Sequence, residues 1–271
     1  MEDTHLAKFN IAPDVHLFAV FDGHAGFAFF LLELPLTFVG DEVAKFVEKH
    51  FESSLTNNNS FKQQDYGKAL YETFLLMDEL LKSPEGQKEI AQYQQNPTGP
   101  SIAGCTACVV LLVKDKIYVA NAGDSRCVIA TRRGVFELTK DHKPSDPLEQ
   151  QRIEKAGGLV LDGRVNGNLN LTRALGDLDF KGNDKLQRHE QLIIANPDIR
   201  VWNHSQEDEF LVLGCDGIWD NIEPHEVCQF ISKELNKGRT PKQASENLLD
   251  FLIGLEGKGN SFLKNSQLIP F

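Results

Sequence analysis

The sequence has no excess of positive charge, no long apolar run and no paired set of cysteines, and each absence excludes a class of protein. The formal net charge is −11 at pH 7, which argues against nucleic acid or an anionic membrane as the main partner. The longest apolar run, FAFFLLELPL, has about ten residues and contains Glu33 and Pro35, so it is too short to span a bilayer. We therefore expect a protein without a transmembrane segment.

The five cysteines are irregularly spaced, and no signal peptide precedes them. This usage predicts reduced, mostly buried thiols in a cytoplasmic or nuclear protein. Cys105 and Cys108 have the spacing of a zinc site, but no second pair of cysteines or histidines accompanies them, which argues against zinc. The sequence also lacks a GxxxxGK[ST] phosphate loop, an internal repeat and a Gly/Ser/Pro-rich linker, so we expect one domain over residues 1–271.

Hydrophobic spacing predicts helices and strands in separate blocks. Leu70, Phe74, Met77 and Leu81 recur at helical spacing and form the apolar stripe of a long helix. Apolar runs broken by short turns predict an antiparallel meander over residues 101–138. These blocks favour an α+β layered fold over a Rossmann sheet. A strand is predicted at 209–213, and further helices are predicted after Gly26 as far as Pro35, at 147–156, at 224–235 and at 241–255.

Acidic residues follow three strand-like apolar runs, in the segments VFDGHAG, NAGDSR and GCDGIWD. They are Asp22, Asp124 and Asp216. A single Asp-Gly pair is more often a hairpin turn, because both residues tolerate positive φ. Turns alone do not require an acid at the carboxyl end of three separate runs, whereas a bound cation does. With Glu2, Asp3 and Asp220, these acids form a candidate metal site.

Oxygen ligands without histidine or cysteine partners suit hard cations such as Mg²⁺ or Mn²⁺. Two such ions about 4 Å apart activate a water and hold the oxygens of a phosphoryl group. A glycine after an acid, as at Gly23, allows a close approach by a backbone carbonyl or a phosphate. His24 follows directly and is either a proton donor to a leaving alkoxide or a hydrogen-bonded structural residue.

A second kind of phosphatase chemistry is suggested by Cys127 and Arg133, which have the C-x5-R spacing of cysteine-dependent phosphatases. The residues between them contain no glycine and continue a strand pattern, whereas such a loop must wrap phosphate with its backbone amides. We interpret this match as chance.

Several motifs occur in the order seen in PP2C-type (PPM) serine/threonine protein phosphatases, and the chain resembles that family from Met1 to about residue 251. The motifs are MEDTH, VFDGHAG, GCTA, NAGDSR, DHKP, RIEKAGG, RVNGNLNLTRALGD, NPDIR and CDGIWD. The resemblance implies a four-layer α-β-β-α sandwich of two antiparallel sheets flanked by helices. It also implies hydrolysis of phosphoserine and phosphothreonine in phosphorylated proteins, by a metal-activated water and without a phosphoenzyme. The enzyme would be a monomer.

The resemblance also implies roles for the candidate residues at a site of two Mg²⁺ or Mn²⁺ ions with a weaker third. Asp22 corresponds to the carboxylate that bridges both ions, and Gly23 to the residue that offers its backbone carbonyl. His24 corresponds to the general acid. The remaining matches are Asp216 as a ligand of the first metal, Glu2 as an acid that holds a metal-bound water with Asp3 as its neighbour, and Asp124 and Asp220 as acids of the third ion.

Other matched residues are expected to be structural. Arg164, Arg173 and Asp177 would form turns and internal ion pairs. Residues 181–194 correspond to the flap beside the site, which varies in the family and adjusts substrate choice.

The chain departs from the family pattern at both ends. An arginine that binds substrate phosphate normally precedes the MED motif, and an Asp-Asn segment that supplies a metal ligand normally lies on a late strand; this sequence has neither. Ala25 also stands where a second glycine is usual. These differences leave three readings open: an incomplete record of an active enzyme, a weak enzyme, or an inactive phosphatase-like binding protein. We expect an exposed sheet edge where the late strand is missing, weak activity and a need for millimolar metal.

Overall fold

The computed structural model describes residues 2–24, 40–94, 103–255 and 266–270. The helix predicted after Gly26, and Ala25 itself, lie outside the described residues. The helices are α1 (Asp41–Asn57), α2 (Asn59–Lys62), α3 (Tyr66–Lys82), α4 (Pro84–Tyr93), α5 (Pro147–Lys155), α6 (Asp216–Trp219), α7 (Pro224–Asn236) and α8 (Pro241–Leu255). Two short 3₁₀ helices span Leu178–Lys181 and Arg188–Glu190.

The strands are numbered in chain order. The first seven are β1 (Thr4–Ala12), β2 (Val15–Phe21), β3 (Gly23–His24), β4 (Gly104–Cys105), β5 (Ala107–Val113), β6 (Lys116–Ala122) and β7 (Arg126–Thr131). The others are β8 (Gly134–Glu137), β9 (Val160–Leu161), β10 (Arg164–Val165), β11 (Leu175–Gly176), β12 (Asp198–Asn203), β13 (Asp208–Gly214) and β14 (Ser266–Pro270).

Two antiparallel sheets form the middle of the fold. One has the order β1-β2-β5-β6-β12 and the other β14-β13-β7-β8. A small sheet, β11-β4-β3, continues from the ends of β2 and β5, and β9 pairs with β10 as a hairpin.

Strand β2 shows why both faces of the large sheet are apolar. Its alternate residues Leu17, Ala19 and Phe21 pack into the core beneath α1 and α3, whereas Phe18 and Val20 face the second sheet. A strand covered on both faces must be apolar throughout, which accounts for the unbroken run LFAVF at residues 17–21. On the far side of the second sheet, α7 and α8 cover its other face. The layers are therefore helix, sheet, sheet and helix, as predicted.

The predicted stripe of α3 is confirmed, since all four of its apolar residues are buried. The predicted helices at 147–156, 224–235 and 241–255 correspond to α5, α7 and α8. In the part of the chain that the structure describes, no helix is long and apolar enough to cross a membrane.

The expectation of an exposed edge at the late strand position is wrong for β13. Strand β14 pairs with it antiparallel, from Phe210 opposite Pro270 to Gly214 opposite Ser266. Main-chain hydrogen bonds form this pairing whatever the side chains are, so a segment without an Asp-Asn motif still covers the edge. The strand sequence SQLIP offers no carboxylate ligand.

Candidate active site

Asp22 lies between β2 and β3, where the pairing of β2 with β5 gives way to the pairing of β3 with β4. Its backbone N–H donates to Thr106 Oγ1 at 3.1 Å, and the Thr106 N–H donates to the Asp22 carbonyl at 2.9 Å. The chain continues in the same direction into Gly23 and His24, which pair with Cys105 and Gly104. The hairpin-turn interpretation is therefore wrong at Asp22.

Gly23 is needed here for space rather than for an unusual φ. A Cβ at this position would lie 2.5 Å from both the Glu2 and the Gly40 carbonyl oxygens, and 3.2 Å from Asp41 Cα. Only a residue without a side chain lets the start of β1 and the start of α1 approach this closely. The acidic Glu2-Asp3 pair is thereby held beside Asp22.

A compact cluster of possible ligand atoms forms next to this junction. Carboxylate oxygens of Asp3 and Asp22 and the Cys215 thiol lie within 4.8 Å of one another, and Asp3 is only 3% exposed. Burial raises the pKa of the Cys215 thiol well above its usual range, and Asp22 and Asp3 raise it further. The thiol therefore stays protonated, and the oxygens are the better donors in this cluster.

Asp216, the first residue of α6, completes a crowded group of acids. Burial, followed by the charges of Asp22, Asp124 and Asp220, raises the pKa of the Asp216 carboxyl to about 7. A carboxyl group prefers the neutral form when it is desolvated and close to other carboxylates. A hard divalent cation would remove both penalties, so the oxygen donor set fits such an ion.

The loop between β6 and β7 positions Asp124. The Gly123 N–H donates to His142 Nδ1 at 3.1 Å, and Asp124 itself is buried, at 3% exposure. Its carboxylate accepts a hydrogen bond from the Lys143 ammonium group. Asp124 thus already has a cationic partner, whereas Asp220 is exposed.

His24 contacts an acid that the sequence assigned to a structural role. Its Nε2 lies 2.7 Å from Asp177 Oδ2, and the two side chains are 20% and 0% exposed. Burial lowers the pKa of His24, but Asp177, with help from Asp22 and Asp124, outweighs burial and leaves that pKa raised.

The other residues expected to form internal ion pairs differ from one another. Arg173 does so, with Glu149 at 2.6 Å and Asp198 at 2.8 Å. Arg164 instead donates to the backbone carbonyl of Asn168 at 2.8 Å.

Cys127 lies within β7 and is fully buried, and burial raises its pKa well above the usual range. A protonated thiol in the middle of a strand is not a phosphatase nucleophile. The C-x5-R match is therefore chance, as interpreted from the sequence.

Sequence reasoning missed the contacts of Asp177 and Lys143. Lys143 stands in the DHKP motif and Asp177 in RALGD, but their partners lie 19 and 153 residues away in the chain. No local sequence pattern predicts such contacts, so they can be identified only in the folded structure.

Comparison with known proteins gives a consistent result. The family described as Protein phosphatase 2C matches residues 1–257. Protein phosphatase 2C 1 of Paramecium tetraurelia is 47% identical over 257 residues, which cover 93% of this chain and 81% of that protein. Probable protein phosphatase 2C 11 of Oryza sativa subsp. japonica is 35% identical over 305 residues, covering 99% and 80%.

A solved structure supports the fold. The crystal structure of serine-threonine phosphatase 2C from Toxoplasma gondii superposes with a TM-score of 0.76 at 20% identity, covering 100% of this chain and 90% of that one. The family match and the sequence relatives show that this chain belongs to the protein phosphatase 2C family of metal-dependent serine/threonine protein phosphatases.

Proposed function

We propose that this protein hydrolyses phosphoserine and phosphothreonine with a water activated at two Mg²⁺ or Mn²⁺ ions. The observation that carries the proposal is the convergence of Asp3, Asp22 and Asp216 at the end of the sheets. Mutual repulsion and burial make such a cluster of carboxylates unfavourable when no cation is bound. The presence of the cluster therefore favours a metal-binding role over a structural one.

The residues present would hold the ions through oxygen atoms. Asp22 would be the shared ligand, because it lies close to both Asp3 and Asp216. The Gly23 carbonyl and Glu2 are further candidates. Asp124 and Asp220 are candidates for a weaker third ion, for which Lys143 would compete at Asp124. Two divalent cations would supply an activated water and would neutralise charge on the phosphoryl oxygens.

His24 is the candidate general acid. When the bond from phosphorus to the seryl oxygen breaks, His24 would give that oxygen a proton, and the attacking water would form the new bond to phosphorus. The proton lost by the water would later restore the imidazole. The neighbouring acids raise the pKa of His24, which helps it to hold the proton until it is needed.

A second candidate function is phosphoprotein binding without turnover. It is favoured by the Lys143–Asp124 ion pair, which uses one of the candidate ligands. Both functions act on phosphorylated proteins. The free thiols of all five cysteines suit the reducing environment of the cytoplasm or nucleus that we propose as the location.

The test is phosphate release from a phosphothreonine peptide. We expect release with Mn²⁺ or Mg²⁺, loss of release with EDTA, and no effect of thiol alkylation under native conditions, because the described cysteines are buried. Peptide binding without release at any metal concentration would favour the second function. Release that survives EDTA would contradict both the metal role and the proposed mechanism.

A further inference from the structure

The contact between His24 and Asp177 joins two distant parts of the chain. His24 follows the candidate metal ligands at the start of the chain, and Asp177 follows β11. Their 2.7 Å separation is that of a strong, charge-assisted hydrogen bond. Because the Asp177 side chain has no exposed surface, water competes little for this bond.

The backbone at Asp177 lies in the left-handed region, which aspartate and asparagine adopt more readily than other residues with a side chain. Its φ and ψ are 48° and 43°. The Asp177 N–H donates to the Ala103 carbonyl at 3.0 Å, and this bond fixes the residue against β4. The position of Asp177 is therefore set by the surrounding structure.

A buried ion pair supports the same turn from below. Asp78 of α3 accepts from the Gly176 N–H at 2.9 Å and from Lys181 Nζ at 2.6 Å, and Lys181 also donates to the Ala174 carbonyl at 2.8 Å. The residues on both sides of Asp177 are thus tied to α3.

The path between the two side chains is open only because residue 104 is a glycine. A Cβ on Gly104 would lie 2.4 Å from Asp177 Oδ2 and 2.7 Å from His24 Nε2. Any larger residue would push the imidazole and the carboxylate apart. The hydrogen bond therefore lies directly against the backbone of strand β4.

The contact between His24 and Asp177 is not well suited to stabilising the fold. Within the described residues, Asp177 Oδ1 is buried and has no hydrogen-bond partner. Burying a carboxylate with only half of its oxygens satisfied costs free energy, and a neutral residue would cost less. A buried carboxylate with incomplete pairing calls for a functional explanation.

We propose that Asp177 is the positioning residue for His24, an inference that rests on the proposed proton-donor role of that histidine. By accepting from Nε2–H, the carboxylate fixes the rotation of the ring and the nitrogen that carries this proton. Nδ1 is then the ring nitrogen left to face the leaving oxygen, and in the imidazolium form its N–H would supply the donated proton. A second group that orients the imidazole is a recurrent part of histidine catalysis.

The test compares Asp177→Asn with His24→Gln on two substrates. Asparagine keeps the shape of aspartate and tolerates the left-handed conformation, so the variant is expected to fold. We expect its kcat on a phosphothreonine peptide to fall at least about 10-fold, with KM nearly unchanged. p-Nitrophenyl phosphate needs little proton donation, so its hydrolysis should be nearly unaffected.

Two further readouts separate positioning from a general structural defect. In the His24→Gln background, Asp177→Asn should cause no further loss on the peptide, because it acts only through the histidine. ¹⁵N NMR of the imidazole, recorded at a pH at which the ring is neutral, should show a proton on Nε2 in the wild type and a mixture of tautomers in Asp177→Asn. Glu89→Gln is the matched control, since it removes the charge from a carboxylate that lies 2.9 Å from His50 between α1 and α4, and it should leave both substrates unaffected.

Equal losses on both substrates in Asp177→Asn, or a further loss in the double variant, would overturn the positioning role while the proton-donor role of His24 stood. If His24→Gln itself lost activity equally on both substrates, the proton-donor assignment would fail, and the inference would fail with it.

Discussion

Gly23→Ala places a methyl group where two backbone carbonyls already meet. The added Cβ would lie 2.5 Å from the oxygens of Glu2 and Gly40, short by roughly 0.8 Å of the C···O contacts of about 3.3 Å found in proteins. Neither carbonyl belongs to a flexible side chain, so β1 or α1 must move. Overpacking of this kind costs about 1–3 kcal/mol, and two backbone clashes favour the upper end.

The loss should appear in both stability and activity. At about 2–4 °C per kcal/mol, a loss of about 3 kcal/mol lowers the melting temperature by about 6–12 °C. The shift also moves Glu2 and Asp3 away from Asp22, and a displacement of about 1 Å lowers turnover by up to about 10²-fold. Differential scanning calorimetry and the phosphopeptide assay measure the two effects.

Gly67→Ala is the control. Gly67 lies in the first turn of α3, where an added Cβ would meet only Ile199 Cγ2 at an ordinary 3.6 Å. Alanine is favoured over glycine in a helix by up to about 1 kcal/mol, so this variant should be as stable as the wild type or slightly more so. A Gly23→Ala variant that melts and turns over like the wild type would refute the packing described around Asp22.

Three other perturbations follow from the site and its surroundings. Burial opposes ionisation of Glu149, but Arg173 and Arg152 lower its pKa to about 2. Its carboxylate therefore stabilises the fold at pH values above the unfolded pKa of about 4.3, and this stabilisation is lost as the pH falls towards 2. Urea unfolding should therefore show the wild type more stable than Glu149→Gln by about 3 kcal/mol at pH 7, with the gap closing by pH 2; a gap independent of pH would contradict this account. The wild type should need millimolar Mn²⁺ for half-maximal activity, and Lys143→Gln should lower that requirement by freeing Asp124; a higher requirement would show that Lys143 assists metal binding. His24→Gln should reduce phosphopeptide hydrolysis by about 10²-fold or more and p-nitrophenyl phosphate hydrolysis much less; equal losses would indicate a structural histidine.

The layers of the fold follow from local patterns that can be read before the structure is known. The stripe of α3 and the unbroken apolar run of β2 each depend on burial of a face, and burial leaves a periodic signal in the sequence. The strand β14 has no comparable signal, because its pairing with β13 depends on main-chain hydrogen bonds between segments far apart in the chain. It was therefore not predicted.

The candidate site likewise contains residues that local patterns predict and residues that they do not. Acids at the ends of apolar runs mark Asp22, Asp124 and Asp216, since strand ends are local features and a sheet gathers them. The roles of these acids remain predictions. The partners that tune them are not local: Lys143 beside Asp124 and Asp177 beside His24 are brought in by loops whose course depends on the packed fold. The internal ion pair expected of Asp177 is present, but the sequence does not predict that His24 is its partner.

The central claim is that Asp22 holds the divalent ions that drive hydrolysis. The most direct measurement is Mn²⁺ binding by titration calorimetry together with initial rates on a phosphothreonine peptide, for the wild type and Asp22→Asn. Loss of one shared carboxylate should weaken Mn²⁺ binding and lower the rate together, the rate by at least about 10²-fold. Near-normal Mn²⁺ affinity and turnover in Asp22→Asn would contradict the account, because Asp22 would then serve only the junction between β2 and β3.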